Sequence, residues 1–218
     1  MKRIHLVALV LVATLSSQVL CKENSTVSAD KELAFAWKKL PGVDGKEHSL
    51  SDLKDKEVVI VVFTCNSCPY AVEYEDRIIE FAKRHCGEKS KAALVAINVN
   101  KIKADSLAAM KKRAEMKAFP FPYLFDETQK IATDFGATYT PEFFLLDKQR
   151  KVVFQGGMDD SSDPSKVEKH YLEDALKATF AGKPVAKLET GAIGCGIRYE
   201  RRRRTRRRPK PKADSPES

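Results

Sequence analysis

The stretch Val58-Val-Ile-Val-Val-Phe63-Thr64-Cys65-Asn66-Ser67-Cys68-Pro69-Tyr70 constrains this chain more than any other. Six apolar residues, mostly β-branched, predict a strand buried on both faces. Two cysteines three positions apart follow at once, and Pro69 opens a helical pattern. Proline fits the first helical turn, where a missing N–H costs nothing. Strand, Cys-x-x-Cys and helix together place the first cysteine near a helix N-terminus, with its unpaired N–H groups and partial positive charge. That field favours the thiolate, the nucleophile of thiol–disulfide exchange. The spacing alone is weak; in this context it points to a reactive dithiol rather than two incidental cysteines.

The ends of the chain read as separate from its body. Met1-Lys2-Arg3 is a positive start, Leu6 to Leu15 is apolar apart from Thr14, and Ser16-Ser17 break the run. Such a run is too short to span a bilayer and fits a secretory signal peptide, residues 1–21, cleaved between Ser17 and Cys21. Leu20 stands where lipoprotein signals carry a small residue, which argues against a lipid anchor through Cys21. The expected location is therefore outside the cytoplasm, periplasmic or secreted, in an oxidising compartment. The formal charge of the 218 residues is +9, but it is unevenly placed. Residues 198–218 hold ten Lys or Arg against three acids, a net +7, so the body carries only +2. This proline-containing basic tail cannot bury a core and is expected to be disordered. It reads either as a solvated tail or as a contact for an anionic membrane surface; nucleic acid is not an expected partner.

Between the ends, strands and helices alternate. Lys22 to Asp30 is polar, and residues 22–34 are expected to form a mobile N-terminal segment. Phe35 to Gly42 reads as an extended piece and Val43-Asp44-Gly45-Lys46 as a turn. Ser49 to Leu53 reads as a helical turn capped by serine, Glu57–Phe63 as a strand, and Pro69–Cys86 as a helix. A strand is expected at Ala92–Val99, a helix at Ser106–Lys117, and a strand end at Tyr123–Phe125. A helix follows at Thr128–Phe135, closed by Gly136. Glu142–Leu146 and Val152–Phe154 read as a hairpin, and Lys166–Phe180 as the last long helix. The pattern predicts one α/β domain, residues 35–182, with a mixed sheet covered by helices. Residues 183–197 form an extension bearing Cys195.

These landmarks resemble the redoxin group of thioredoxin-fold proteins, which spans exported thiol–disulfide oxidoreductases and the alkyl hydroperoxide reductase/thiol-specific antioxidant superfamily. The resemblance rests on Asp44-Gly45-Lys46 through Leu53 and Phe63, on Cys65-x-x-Cys68, and on Phe125-Asp126 through Gly136. Thr140-Pro141-Glu142-Phe143-Phe144-Leu145-Leu146-Asp147 and Gly156-Gly157 complete it. It implies a thioredoxin-like three-layer sandwich with a mixed central sheet. It further implies that Cys65 is an exposed attacking thiol and Cys68 a buried resolving one. Thr140-Pro141 matches the loop whose proline is cis in thioredoxin-like proteins, where the preceding residue's backbone bonds an extended substrate peptide. The implied activity is disulfide exchange with protein partners, fed by an upstream electron donor or acceptor, with no cofactor. Many thioredoxins carry a buried acid six residues before the first cysteine; here that position is Val59, leaving the role vacant or to Glu142 or a water.

Two rival functions are weaker. A peroxiredoxin-like peroxidase needs Pro-x-x-x-Thr-x-x-Cys, but Val62 stands three before Cys65 and Cys65 itself three before Cys68. A copper module would need a histidine beside the cysteines, yet His85 ends its own helix and His170 sits among charged neighbours; no metal site is expected. Cys86 reads as a buried or half-buried free thiol. Cys195, flanked by Gly194 and Gly196, reads as an accessory third thiol, a partner for Cys86, or a spectator. Trp37 is expected to pack the N-terminal segment onto the sheet. Phe119, Phe121 and Tyr123 are expected in the core or along a substrate groove, and Asp159, Asp160 and Asp163 in a solvated loop.

Overall fold

The computed structural model describes residues 36–200. The expected signal peptide, Cys21 and nearly all of the basic tail lie outside the described residues. A two-residue hairpin, β1 (Leu40–Pro41) and β2 (Glu47–His48), opens the fold, with Gly45 at φ 78° in its turn. A short 3-10 turn at Leu50–Leu53 follows. Ser49 stands at its N-cap in a capping box with Asp52, whose carboxylate accepts from the Ser49 N–H, and the Ser49 hydroxyl also accepts from the Lys39 N–H.

Then come β3 (Val58–Phe63), α1 (Pro69–His85), β4 (Ala92–Asn98), α2 (Leu107–Lys117), β5 (Tyr123–Phe125), α3 (Lys130–Phe135) and β6 (Tyr139–Thr140). The chain ends with β7 (Glu142–Leu146), β8 (Val152–Gly156), α4 (Tyr171–Phe180) and β9 (Cys195–Gly196).

The central sheet has the order β5-β4-β3-β7-β8. β3 runs parallel to β4 and antiparallel to β7, so the sheet is mixed. Every residue of β3, β4 and β7 is buried, as near-continuous apolar strands demand when both faces are covered. On one face Val58, Ile60 and Val62 meet α1 through Tyr74, Ile78 and Phe81, α2 through Met110, and α4 through Leu172 and Leu176. On the other, Val59, Val61 and Phe63 meet α3 through Ile131 and Phe135, with Trp37 and Leu50. Trp37 thus packs the N-terminal segment onto the sheet. Phe63, Phe135 and Phe144 interlock edge-to-face with centroids 5.1–5.6 Å apart. Each such ring contributes roughly 2 kcal/mol by burial. The result is the thioredoxin-like sandwich of three layers.

Two expectations are corrected. The last helix begins at Tyr171, not Lys166. The carboxylate of Asp160 accepts from the N–H groups of Glu168 and Lys169, holding that segment outside a helix, and Leu172 N–H bonds Met158 O to set the true start. The loop at 159–163 is not simply solvated either. Asp159 is 3% exposed, accepts from the Tyr74 hydroxyl at 2.7 Å and pairs with Arg77 at 2.5 Å. Only Asp160 and Asp163 act as surface caps. Among the described residues, no helix is long and apolar enough to cross a membrane.

Candidate active site

Cys68 occupies the N-cap of α1, and Pro69 takes the first helical position. Its Sγ donates to the carbonyl of Thr140 at 3.0 Å, while Cys65 Sγ lies 3.4 Å from the Thr140 hydroxyl. The Thr140–Pro141 peptide is cis. Thr140 therefore touches both sulfurs, one through its backbone and one through its side chain. Both thiols are reduced.

Cys65 departs from the expectation of an exposed thiol: it is 3% exposed and Cys68 2%. Cys195, half-buried on β9, packs on Cys65, Cys68 and Ala71. On another side Phe119 and Phe121, stacked at 5.0 Å, join Tyr123 in a small crevice that ends at Thr64 and Cys65. These aromatic residues thus belong to the edge of the core, beside Cys65.

The loop between the cysteines is held by a residue that sequence reading missed. Asp105 has no exposed surface. Its Oδ1 accepts from the N–H groups of Asn66 and Ser67 at 2.8 and 2.9 Å, and its Oδ2 from the Ser67 hydroxyl at 2.6 Å. The Asp105 carbonyl in turn accepts from the Asn98 amide, at the end of β4. The Tyr123 hydroxyl donates to the Asn66 side chain, closing the ring around the dithiol. In sequence, Asp105 shows only as an acid ahead of the Ser106 helix cap; nothing links it to a loop 38 residues away.

Cys195 is the sequence-predicted accessory thiol, and the structure brings it to the pair. β9 runs antiparallel to β6, with Cys195 opposite Thr140. Its thiol is pushed up to about 11, chiefly by its hydrogen bond to Cys68, then by burial and the charges of Cys68 and Cys65; Arg198 opposes these. Pairing with Cys86 is not supported. Cys86 caps the far end of α1, 18 residues from Cys68, or about 27 Å along a helix. Burial pushes that thiol up to about 12.

A model of the AhpC/TSA family matches residues 33–155. The chain belongs to the AhpC/TSA family. The thiol-disulfide oxidoreductase ResA of Geobacillus thermodenitrificans (strain NG80-2) is 26% identical over 115 residues, 52% of this chain and 61% of that protein. The match thus spans under two thirds of that relative. A hypothetical protein from Sinorhizobium meliloti 1021 superposes with a TM-score of 0.70 at 31% identity, covering 77% of this chain and 92% of that one. A thiol:disulfide interchange protein of the thioredoxin family from Chlorobium tepidum TLS gives 0.52 at 19% identity, covering 66% and 92%, and shares the fold.

Other predicted positions fall into place around this AhpC/TSA core. Val59 is fully buried in β3, with no acid at that place. Glu142, the suggested substitute, faces Phe63 across the sheet, and its Oε2 accepts from the N–H groups of Thr138 and Tyr139. Burial raises its pKa although those two bonds resist the rise. It therefore props the loop that carries Thr140. Val62, three residues before Cys65, is buried in β3, so the hydroxyl a peroxidase needs there is missing. His85 bonds Glu173 at 2.9 Å on the α4 side, and His170 sits at the N-cap of α4. Among the described residues, no group of three or more His, Cys, Asp or Glu is arranged to hold a metal ion.

Proposed function

We propose that this protein is a thiol–disulfide oxidoreductase that works through Cys65 and Cys68. The observation that carries the reading is the pair of reduced sulfurs at the N-terminus of α1, both in contact with Thr140. A named thiol-disulfide oxidoreductase among its relatives supports it.

In the proposed cycle Cys65 thiolate attacks a substrate disulfide and one sulfur of the substrate leaves. Cys68, three residues on, then attacks Cys65 and releases the reduced substrate. Two roles suit Thr140. Its carbonyl holds the Cys68 thiol until it is needed, and its hydroxyl is placed to stabilise sulfur charge on Cys65. Thr140 and Pro141 are the substrate-side residues of the dithiol site in this reading. The substrates are disulfide-containing or dithiol proteins, with a second protein as electron donor or acceptor, and no cofactor takes part.

The site is assigned to a domain of residues 35–182, preceded by a signal peptide, residues 1–21, and a mobile N-terminal segment, residues 22–34. An extension, residues 183–197, and a basic tail, residues 198–218, follow it. We assign the mature protein to the space outside the cytoplasm, without a lipid anchor at Cys21.

The test is the equilibrium of the mature protein with dithiol buffers of known potential, followed by insulin reduction. Formation of a Cys65–Cys68 disulfide, with activity lost in Cys65→Ser, is expected. A wild-type protein that never forms that disulfide would sink the reading.

A further inference from the structure

The edge a substrate strand would use is already filled by the chain itself. β9 pairs with β6 in fixed register, Thr140 with Cys195 and Tyr139 with Gly196. Beyond it Ile197 N–H bonds Thr138 O at 2.8 Å, and the Tyr199 hydroxyl bonds Ala137 O at 2.7 Å. Gln129 clasps the strap from both sides, donating to Arg198 O and accepting from Glu200 N–H. Upstream, Thr190 N–H bonds Gln155 O, so the strap is also tied to β8. A Cβ on Gly194 would stand 2.3 Å from Thr140 O, which only a glycine avoids. The glycine thus serves close approach, not freedom of movement.

We propose that β9 is a built-in substrate strand, and that Cys195 is a third redox thiol which takes the disulfide over from the Cys65–Cys68 pair. The proposal rests on the dithiol reading above. In the step, Cys195 thiolate attacks Cys68 Sγ. The Cys68–Cys195 bond forms as the Cys65–Cys68 bond breaks, and Cys65 leaves as a thiolate. The proton lost by Cys195 goes to water and then to Cys65. One disulfide is exchanged for another, so no electrons enter or leave.

Three observations favour this route. Cys195 packs on Cys68, and Cys68 bonds the carbonyl of Thr140, the residue facing Cys195 in the ladder. Much of what holds the Cys195 proton comes from Cys68 and Cys65 in their reduced forms. Oxidation of the pair removes those contributions and leaves Arg198, which favours the thiolate. Cys195 thus becomes nucleophilic once there is a disulfide to attack. Finally, Cys195 is half-buried where Cys65 and Cys68 are almost wholly covered, so the transferred disulfide is the one nearer to an external reductant.

The test uses full-length wild type, Cys65→Ser and Cys68→Ser, each reduced and then oxidised with glutathione disulfide. Samples are acid-quenched and alkylated, and linked peptides are mapped by mass. Cys65→Ser is expected to give a Cys68–Cys195 bond as its main internal product, and wild type both this bond and Cys65–Cys68. Circular dichroism checks that each variant is folded. If wild type closes Cys65–Cys68 while folded Cys65→Ser leaves Cys195 unlinked, the relay is overturned and the dithiol reading stands. A Cys65–Cys195 bond in Cys68→Ser, with none from Cys68 in Cys65→Ser, overturns the choice of Cys68 as centre. Wild type with no bond joining any two of Cys65, Cys68 and Cys195 would remove both readings together.

Discussion

Asp105 has no exposed surface, yet three donors from the loop between the cysteines converge on its carboxylate. Hydrogen bonds to a charged group each contribute roughly 1.5–3 kcal/mol, and donors left without a partner in a buried place cost more than the bond itself yields. Asp105→Ala strands two N–H groups and one hydroxyl at once. We expect it to lower stability by about 3 kcal/mol in urea unfolding, given incomplete additivity. A loss below about 1 kcal/mol would show that the clamp does not hold the loop. Glu142 presents the opposite case. Burial raises its folded pKa above the ordinary 4.5, so its contribution is full below that value and is lost as pH climbs through the raised one. Glu142→Gln retains an acceptor for Thr138 and Tyr139 while removing the buried charge. It should match or exceed wild-type stability at neutral pH and flatten the melting profile above pH 4.5. Should it melt well below wild type at neutral pH, the charge itself is needed.

At the scale of elements, the parts written in local pattern were legible in the sequence. β3 announces itself by six apolar residues, and α1 by Pro69 and the spacing of Tyr74, Ile78 and Phe81. Both follow from side-chain period and from helix-start chemistry, which need no knowledge of the rest of the chain. What was not legible depends on pairings distant in sequence. The start of α4 is set by Asp160, eight and nine residues before the N–H groups it binds. β9 is two residues long and carries no alternation, so its place opposite Thr140 is a tertiary fact. For the same reason Cys65 was expected to be exposed: the residues that cover it come from the far end of the chain and from the loop after α2. Gly194→Ala tests that cover. Its methyl group would collide with backbone at Thr140, which cannot swing aside as a side chain can. We expect β9 to lift from β6 and the alkylation of Cys65 and Cys68 by iodoacetamide to speed up severalfold. Unchanged alkylation rates would mean that β9 does not shield the pair.

The whole molecule carries a set of weak acids whose protons the fold retains, and all are shifted the same way. Burial pushes Cys86 up to about 12; Tyr199, though 37% exposed, is pushed to about 12 by the partial burial of its hydroxyl end and by Glu142. Tyr74 and Tyr123 are raised as well, again chiefly by burial, and Cys195 is held near 11. In the unfolded chain these thiols titrate near 9 and the phenols near 10. A folded value above the unfolded one gives stability that is complete below the unfolded pKa and is lost as pH rises through the folded pKa. Each proton held only by the folded state steepens the fall by about 1.4 kcal/mol per pH unit. The groups lie in different places: Tyr74 within the core beneath α1, Cys86 at its margin, and Tyr199 on the strap. Their losses therefore add rather than compete for one site. Above the range in which Glu142 titrates, the melting temperature should hold to about pH 9 and fall steeply from there toward 12. Tyr199→Phe should lower stability at neutral pH, where its bond to Ala137 is lost, yet soften the alkaline fall. A melting curve that stays level through that range would mean that these groups reach water in the folded protein and that the fold does not hold their protons.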